Sequence, residues 1–155
     1  MTTETASVTG QASWLLQYLD AWNRHDLESV TAFMTDDVVF IDTPLGQRLV
    51  GRAEVRTFID SLRANFSTNY QITPGLIITT DEAYSYEWVS VGTNDCDNTE
   101  LGVPATGKPF EIRGISIGVL KDGKIKENRD YWDVAGYLKQ VGLMPAPESS
   151  NGATA

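Results

Sequence analysis

Helical and strand periodicities occupy different stretches of this chain, and that separation most limits what it can fold into. From about Thr9 the apolar residues Trp14, Leu15, Tyr18, Leu19 and Trp22 recur on one face of a 3.6-residue helix. Asn23-Arg24-His25 interrupts the pattern, and Asp26 is placed to cap a second helix whose stripe is Leu27, Val30, Phe33 and Met34. A β-branched run over 38–42, turn chemistry at Thr43-Pro44-Leu45-Gly46 and a short run over 47–50 predict a hairpin. Val55, Phe58, Ile59, Leu62 and Phe66 mark a third amphipathic helix.

After Tyr70 the period becomes two. Residues 70–79 predict a strand that Pro74-Gly75 confines to an edge or a bulge. Residues 82–93 and 110–120 alternate, with 94–107 a polar loop between them. Lys121-Asp122-Gly123-Lys124 is hairpin chemistry leading into a last strand over 125–133. Val134, Tyr137, Leu138 and Val141 predict a short closing helix ended by Gly142. Helices, a hairpin, a helix and then consecutive strands give an α+β domain. The expectation is a curved sheet wrapped around the helices with one pocket between the layers. The domain is expected over 9–143, with flexible tails at 1–8 and 145–155.

At 155 residues the chain is one domain's length and buries enough surface to need no staple. Its net charge of −9 disfavours nucleic acid and anionic membranes as partners. No apolar run approaches the ~20 residues of a membrane span, and the polar start lacks a signal-peptide core. Cys96 stands alone, which excludes an intrachain disulfide and fits a cytoplasmic setting. With one His and one Cys, neither a nucleophile–His dyad nor a zinc cluster is supported, so no metal or cofactor is expected. No P-loop or dinucleotide fingerprint occurs.

The informative residues are acids inside apolar runs, because burying a charge is costly. Asp42 ends Val-Val-Phe-Ile, and Asp130 and Asp133 bracket Tyr131-Trp132. Strand parity sorts them. Asn128, Asp130 and Trp132 share one face of the last strand, and Val38, Phe40 and Asp42 share one face of the first. Tyr84, Tyr86, Trp88, Ser90 and Gly92 share a face of the fourth. In the strand before the last, Gly114, Ser116 and Gly118 lack bulk, which reads either as a sheet bend filled by helices or as a floor under a cavity. Asp42 is either a turn cap or a catalytic acid. Asp133 fits a helix N-cap better than a catalyst, and His25 fits a structural role. Asp130 has no cap to make. Tyr18 and Trp22 read as core or as cavity wall. Trp22, Trp88, Trp132 and Tyr18 are expected to converge on one pocket and keep Asp130 dry, while Trp14 packs.

Tyr18-Leu-Asp-Ala-Trp-Asn-Arg-His-Asp26-Leu and Phe33-Met-Thr-Asp-Asp-Val-Val-Phe-Ile-Asp42 resemble the opening of the nuclear-transport-factor-two-like superfamily. That is the cone-shaped fold of ketosteroid isomerase, limonene-epoxide hydrolase and the SnoaL-like polyketide cyclases. Val103-Pro-Ala-Thr-Gly-Lys108-Pro-Phe, Lys121-Asp-Gly-Lys-Ile and Asp130-Tyr-Trp-Asp133 resemble the SnoaL-like, ester cyclase, branch most. The similarity covers about 12–143. It implies a homodimer through the outer sheet face, where Arg113, Ile115 and Ile117 lie.

By that resemblance Tyr18 matches the isomerase's oxyanion-binding tyrosine and Asp42 its proton-shuttling aspartate, while its second oxyanion donor falls near Ser116. Asp130 matches one aspartate of the epoxide hydrolase, whose arginine and other aspartate fall on Trp88 and Ser90. In the cyclases an acid on the last strand serves ring closure, and Asp130 matches it, with Asp133 as the near alternative. The resulting expectation is a cofactor-independent acid/base enzyme, most simply a cyclase, on a hydrophobic polyketide-like molecule. Asp130, Asp42 and Tyr18 are its catalytic candidates. Trp22, Phe40, Trp88, Ser90, Ser116, Asn128 and Trp132 are its substrate-binding candidates. An isomerase, dehydratase or epoxide hydrolase in the same pocket is the alternative, as is a non-catalytic binder.

Overall fold

The structure is a computed structural model that describes residues 12–145. The expected helix start near Thr9, the arm at 1–8 and all but the first residue of the tail at 145–155 lie outside the described residues. Helices α1 (Ser13–Asn23) and α2 (Leu27–Ala32) come first. Strands β1 (Met34–Asp42) and β2 (Gln47–Val50) follow, then α3 (Arg52–Asn65). Strands β3 (Gln71–Thr79), β4 (Ala83–Thr93), β5 (Pro109–Lys121) and β6 (Lys124–Trp132) and helix α4 (Val134–Gln140) follow in the described residues.

The turn and cap chemistry acts where the sequence places it. The Asp26 carboxylate accepts the Ser29 amide and hydroxyl at the start of α2. Asp133 accepts the Gly136 amide and caps α4, so its carboxylate serves the helix. Gly142, just past α4, has φ +82°, a backbone that L side chains rarely adopt. Asp122 and Gly123 have φ +51° and +77°, which makes the β5–β6 hairpin a type I′ turn. His25 lies in the α1–α2 connection and reaches Asp60 on α3, a structural tie.

The six strands form one open, mixed sheet in the order β2-β1-β6-β5-β4-β3. β1 and β6 run parallel and every other pair is antiparallel. The strand expected over 38–42 begins four residues earlier, at Met34, because Met34 already pairs with Ile125 of β6. β3 is an edge strand whose register slips between Pro74 and Ile77, as Pro74-Gly75 demands.

Helices cover one face of the sheet. On β5 that face carries buried Phe110, Ile112, Ser116, Gly118 and Leu120, while Glu111, Arg113, Ile115, Ile117 and Val119 are exposed. The core joins Leu15, Tyr18 and Leu19 of α1, Val30 of α2, Val55 and Ile59 of α3 and Phe40 of β1. Each large side chain fully removed from water contributes about 1.5–3 kcal/mol. Trp14 packs against Tyr18, Phe33 and Tyr84, a purely packing role. Among the described residues no helix is long and apolar enough to cross a membrane.

Candidate active site

The curvature leaves a cavity of about 790 Å³ between sheet and helices. That lies within the roughly 300–1,000 Å³ of small-molecule sites. Trp22, Trp88 and Trp132 line it, together with Asp42 and Ser90. So do Phe58, Leu62 and Phe66 of α3, and Tyr137 and Leu138 of α4. The loop residues Asn98, Glu100, Leu101 and Val103 close one side. Its charged lining residues are Asp42, Glu54 and Glu100, and no Lys or Arg of the described residues lines it.

Five expected site residues are not among those lining it: Tyr18, Phe40, Ser116, Asn128 and Asp130. Tyr18 and Phe40 are core, each about 1% exposed. Tyr18 packs edge-on against Trp22 and Phe33, so the convergence expected of four aromatics holds for the three tryptophans. Ser116 and Asn128 are buried, and Asp130 is half-buried.

The small-residue floor also has a different occupant from the one expected. A Cβ on Gly114 would overlap the Trp88 indole, and one on Gly118 would overlap the Tyr84 ring. The two glycines therefore seat aromatic rings from β4, which pairs Trp88 with Gly114 and Tyr84 with Gly118. Of the two rings, Trp88 lines the cavity and Tyr84 lies in the core.

Strand register brings the acids together. In the parallel pair, Asp42 is matched to Asp130, and across β5 Asp130 is matched to Ser116. The indole N–H of Trp132 donates to both Asp42 oxygens, at 3.1 and 3.2 Å, and the Leu45 amide donates to Oδ1 at 3.2 Å. Asp42 thus serves its turn and also faces the cavity. Burial pushes its carboxyl above the ordinary range, while the two donors pull it back.

Asp130 Oδ1 accepts the Ser116 hydroxyl at 2.6 Å and the Asn128 amide at 2.8 Å. Behind these, the Trp88 indole donates to Ser116 Oγ at 3.0 Å and the Tyr84 hydroxyl to Asn128 Oδ1 at 2.6 Å. Burial pushes the Asp130 carboxyl up to about 6; the two donors oppose that and the nearby Asp42 charge adds to it. Burial, with the charges of Tyr86 and Asp130, also holds the Tyr18 hydroxyl well above its usual range, so it stays protonated. A carboxyl near neutrality is suited to taking and returning a proton. No cluster of three metal-ligating side chains occurs among the described residues.

Sequence reasoning did not find the α3 face or the 98–103 side of the cavity. Phe58, Leu62 and Phe66 read as core because an apolar stripe is the same signal for a core and for a dry wall. Their partial burial separates the two.

The profile of the SnoaL-like domain matches residues 15–128. The chain belongs to the SnoaL-like family. The match ends two residues short of Asp130. Aklanonic acid methyl ester cyclase DnrD of Streptomyces peucetius is 41% identical to this SnoaL-like chain over 49 residues, 31% of this chain and 34% of that protein. The aligned stretch thus spans about a third of that relative's length. AclR of Streptomyces galilaeus, a proposed hydroxylase, superposes with a TM-score of 0.76 at 20% identity, covering 96% of each chain. IdmH of Streptomyces antibioticus, a proposed polyketide cyclase, gives 0.73 at 23% identity, over 86% of this chain and 99% of that one. At these identities the structural likeness establishes the fold.

Proposed function

We propose that this SnoaL-like protein is a cofactor-independent acid/base enzyme that closes a ring in a hydrophobic, polyketide-like molecule by an intramolecular aldol step. The observation that carries the reading is the Asp42–Asp130 pair, two carboxyls in matched register beneath an aromatic-walled cavity. Burial, with a smaller contribution from the Asp42 charge, lifts the Asp130 carboxyl to about 6, so it accepts and returns a proton close to neutral pH. The ionised group removes a proton from a carbon between two carbonyls. The carbon's electron pair attacks a third carbonyl, and the resulting alkoxide takes up a proton. Atoms balance without any co-reactant. The family match and the cyclase name of the relative aligned over 49 residues support this choice. An acidic wall without Lys or Arg favours an uncharged substrate over an anionic one.

The test is incubation of the pure protein, without additives, with an uncharged linear polyketone ester. The expected outcome is a product of unchanged mass and altered ultraviolet absorption. Saturable binding with no product under any condition would leave a binding protein instead.

A second reading rests on Asp42, the member of the pair that lines the cavity. With Asp42 as the main base, the same pocket would shift a double bond, dehydrate or open an epoxide. We also propose a cytoplasmic homodimer, formed through the outer sheet face where Ile115, Ile117, Val119 and Tyr131 are each about half exposed.

A further inference from the structure

We propose that Trp88 and Tyr84 are positioning residues that fix the direction of both hydrogen bonds at Asp130, so that its catalytic proton is carried on Oδ2 alone. The inference deepens the acid/base reading and rests on it for the word catalytic; the bond directions stand by themselves.

The argument starts from donor inventories. An indole nitrogen only donates. Trp88 Nε1 lies 3.0 Å from Ser116 Oγ, so Ser116 must accept there. Its single hydroxyl hydrogen is then directed to Asp130 Oδ1 at 2.6 Å, while the Tyr86 hydroxyl, which also meets Ser116 and which burial keeps protonated, can supply its own hydrogen. Beside the Trp88 bond Ser116 Oγ keeps a second lone pair, so it is the Asn128 amide hydrogen on the same Asp130 Oδ1 that disfavours a proton there and leaves the serine to donate to it. Gly114 holds the donor in place, because the indole lies where its side chain would be.

The second arm repeats the logic with different chemistry. The Tyr84 hydroxyl lies 2.6 Å from Asn128 Oδ1 and occupies the amide oxygen, which leaves the amide nitrogen to face Asp130 Oδ1 at 2.8 Å. Burial raises the Tyr84 hydroxyl well above its ordinary range, so it remains a donor throughout neutral pH. Gly118 seats this ring as Gly114 seats the other.

Both arms end on the same oxygen. Oδ1 faces two donors and is disfavoured as the protonated atom, since a hydroxyl there would point at other hydrogens. Oδ2 accepts no hydrogen bond from the described residues. The proton taken from a substrate carbon bonds there and leaves from there, while Oδ1 remains a carbonyl-like acceptor.

The experiment reads Asp130 directly, without substrate. Protein carrying aspartate labelled with ¹³C in the side-chain carboxyl is titrated by NMR, the Asp130 signal being assigned by its loss in Asp130→Asn. Tyr84→Phe, which keeps the ring on Gly118, is expected to raise the Asp130 midpoint by about one pH unit by freeing the Asn128 amide to turn. Asn128→Ala raises it similarly, and the double change raises it no further than Asn128→Ala alone. In the infrared, the C=O band of protonated Asp130 moves to higher frequency in each variant, because Oδ1 loses a donor.

An unmoved midpoint in folded Tyr84→Phe, or shifts that simply add, would overturn the proposal. Should Tyr84→Phe fail to fold, Trp88→Phe with Ser116→Ala forms the same cycle on the other arm and decides by the same criteria. If the titration cycle behaves as expected while Asp130→Asn retains full turnover, the bond directions stand and the catalytic role of Asp130 falls.

Discussion

Asp42 and Asp130 are matched across the β1–β6 pair, so two carboxyls leave neighbouring strands at the same height on the same face. Their surroundings differ. Asp42 is held by an indole N–H and a turn amide at the cavity wall. Asp130, half-buried and not a lining residue, is held by a hydroxyl and an amide on one oxygen. A place in the cavity lining belongs to the first and a near-neutral carboxyl, at about 6, to the second.

Replacing each acid by its amide separates their roles. Asp130→Asn is expected to keep the fold and ligand binding and to lower turnover about 100-fold or more. The measurement is steady-state kcat beside ligand titration for Asp130→Asn and Asp42→Asn. Loss of turnover in Asp42→Asn alone would transfer the chemistry to Asp42 and favour the second reading.

The same substitution has an opposite effect on stability. The Asp130 carboxyl titrates near 3.9 in an unfolded chain and at about 6 in the fold. The fold binds that proton more tightly, so the group's contribution is present below about pH 4 and is lost as pH rises through about 6. Asp130→Asn should therefore melt about 2–4 °C above the parent at neutral pH, with the margin shrinking toward pH 4. Calorimetry across that range checks it, and a margin independent of pH would contradict it.

Gly114→Ala tests the ring seat. The added methyl overlaps the Trp88 indole, so the ring must move or the strands must part. A loss of about 1–3 kcal/mol is expected, together with a changed Trp emission spectrum. Trp88→Leu in the same background should recover part of the stability in urea denaturation. Full stability in the single variant would mean the seat is open.

The three wall tryptophans report on ligand. Binding in the cavity should quench Trp fluorescence saturably. Trp132→Phe should diminish the change, while Trp14→Phe, which alters a ring packed on Tyr18 and Tyr84, should not. Trp132→Phe also removes the indole donor from Asp42 and so moves that carboxyl further upward.

Assembly is tested on the outer face. Ile117→Lys places a charge at the centre of the exposed apolar strip of β5. Light scattering should show a dimer for the parent and a monomer for the variant, with the helical and strand circular dichroism unchanged. A parent that is monomeric at all concentrations would remove the homodimer.

Periodicity and parity account for most of what was legible beforehand. The 3.6-residue stripes located α1 to α3, and period two located the strands and put Asp42, Asp130, Ser116 and Asn128 on the inner face. Asp26, Asp133 and Gly142 announced their caps by residue type alone. What parity lacks is register. It does not tell which β5 residue faces Trp88, so Gly114 read as a gap when it is a seat for that indole. Depth was lost for the same reason. Asp130 and Trp132 share a face two residues apart, yet only Trp132 lines the cavity. The part of the loop at 98–103 that closes the cavity carries no period at all.

β6 is the last strand among the described residues, yet it lies in the interior of the sheet, between β1 and β5. During synthesis, β1–β2 and β3–β5 would emerge as two fragments with unpaired edges and no joint. The carboxyl pair comes into being only when residue 130 has left the ribosome and closed a gap of 88 positions to Asp42. Closing such a distant contact is slow and cooperative. A chain interrupted before β6 would hold half a sheet, one of its two acids and exposed strand edges, which makes it a substrate for quality control rather than a weak enzyme.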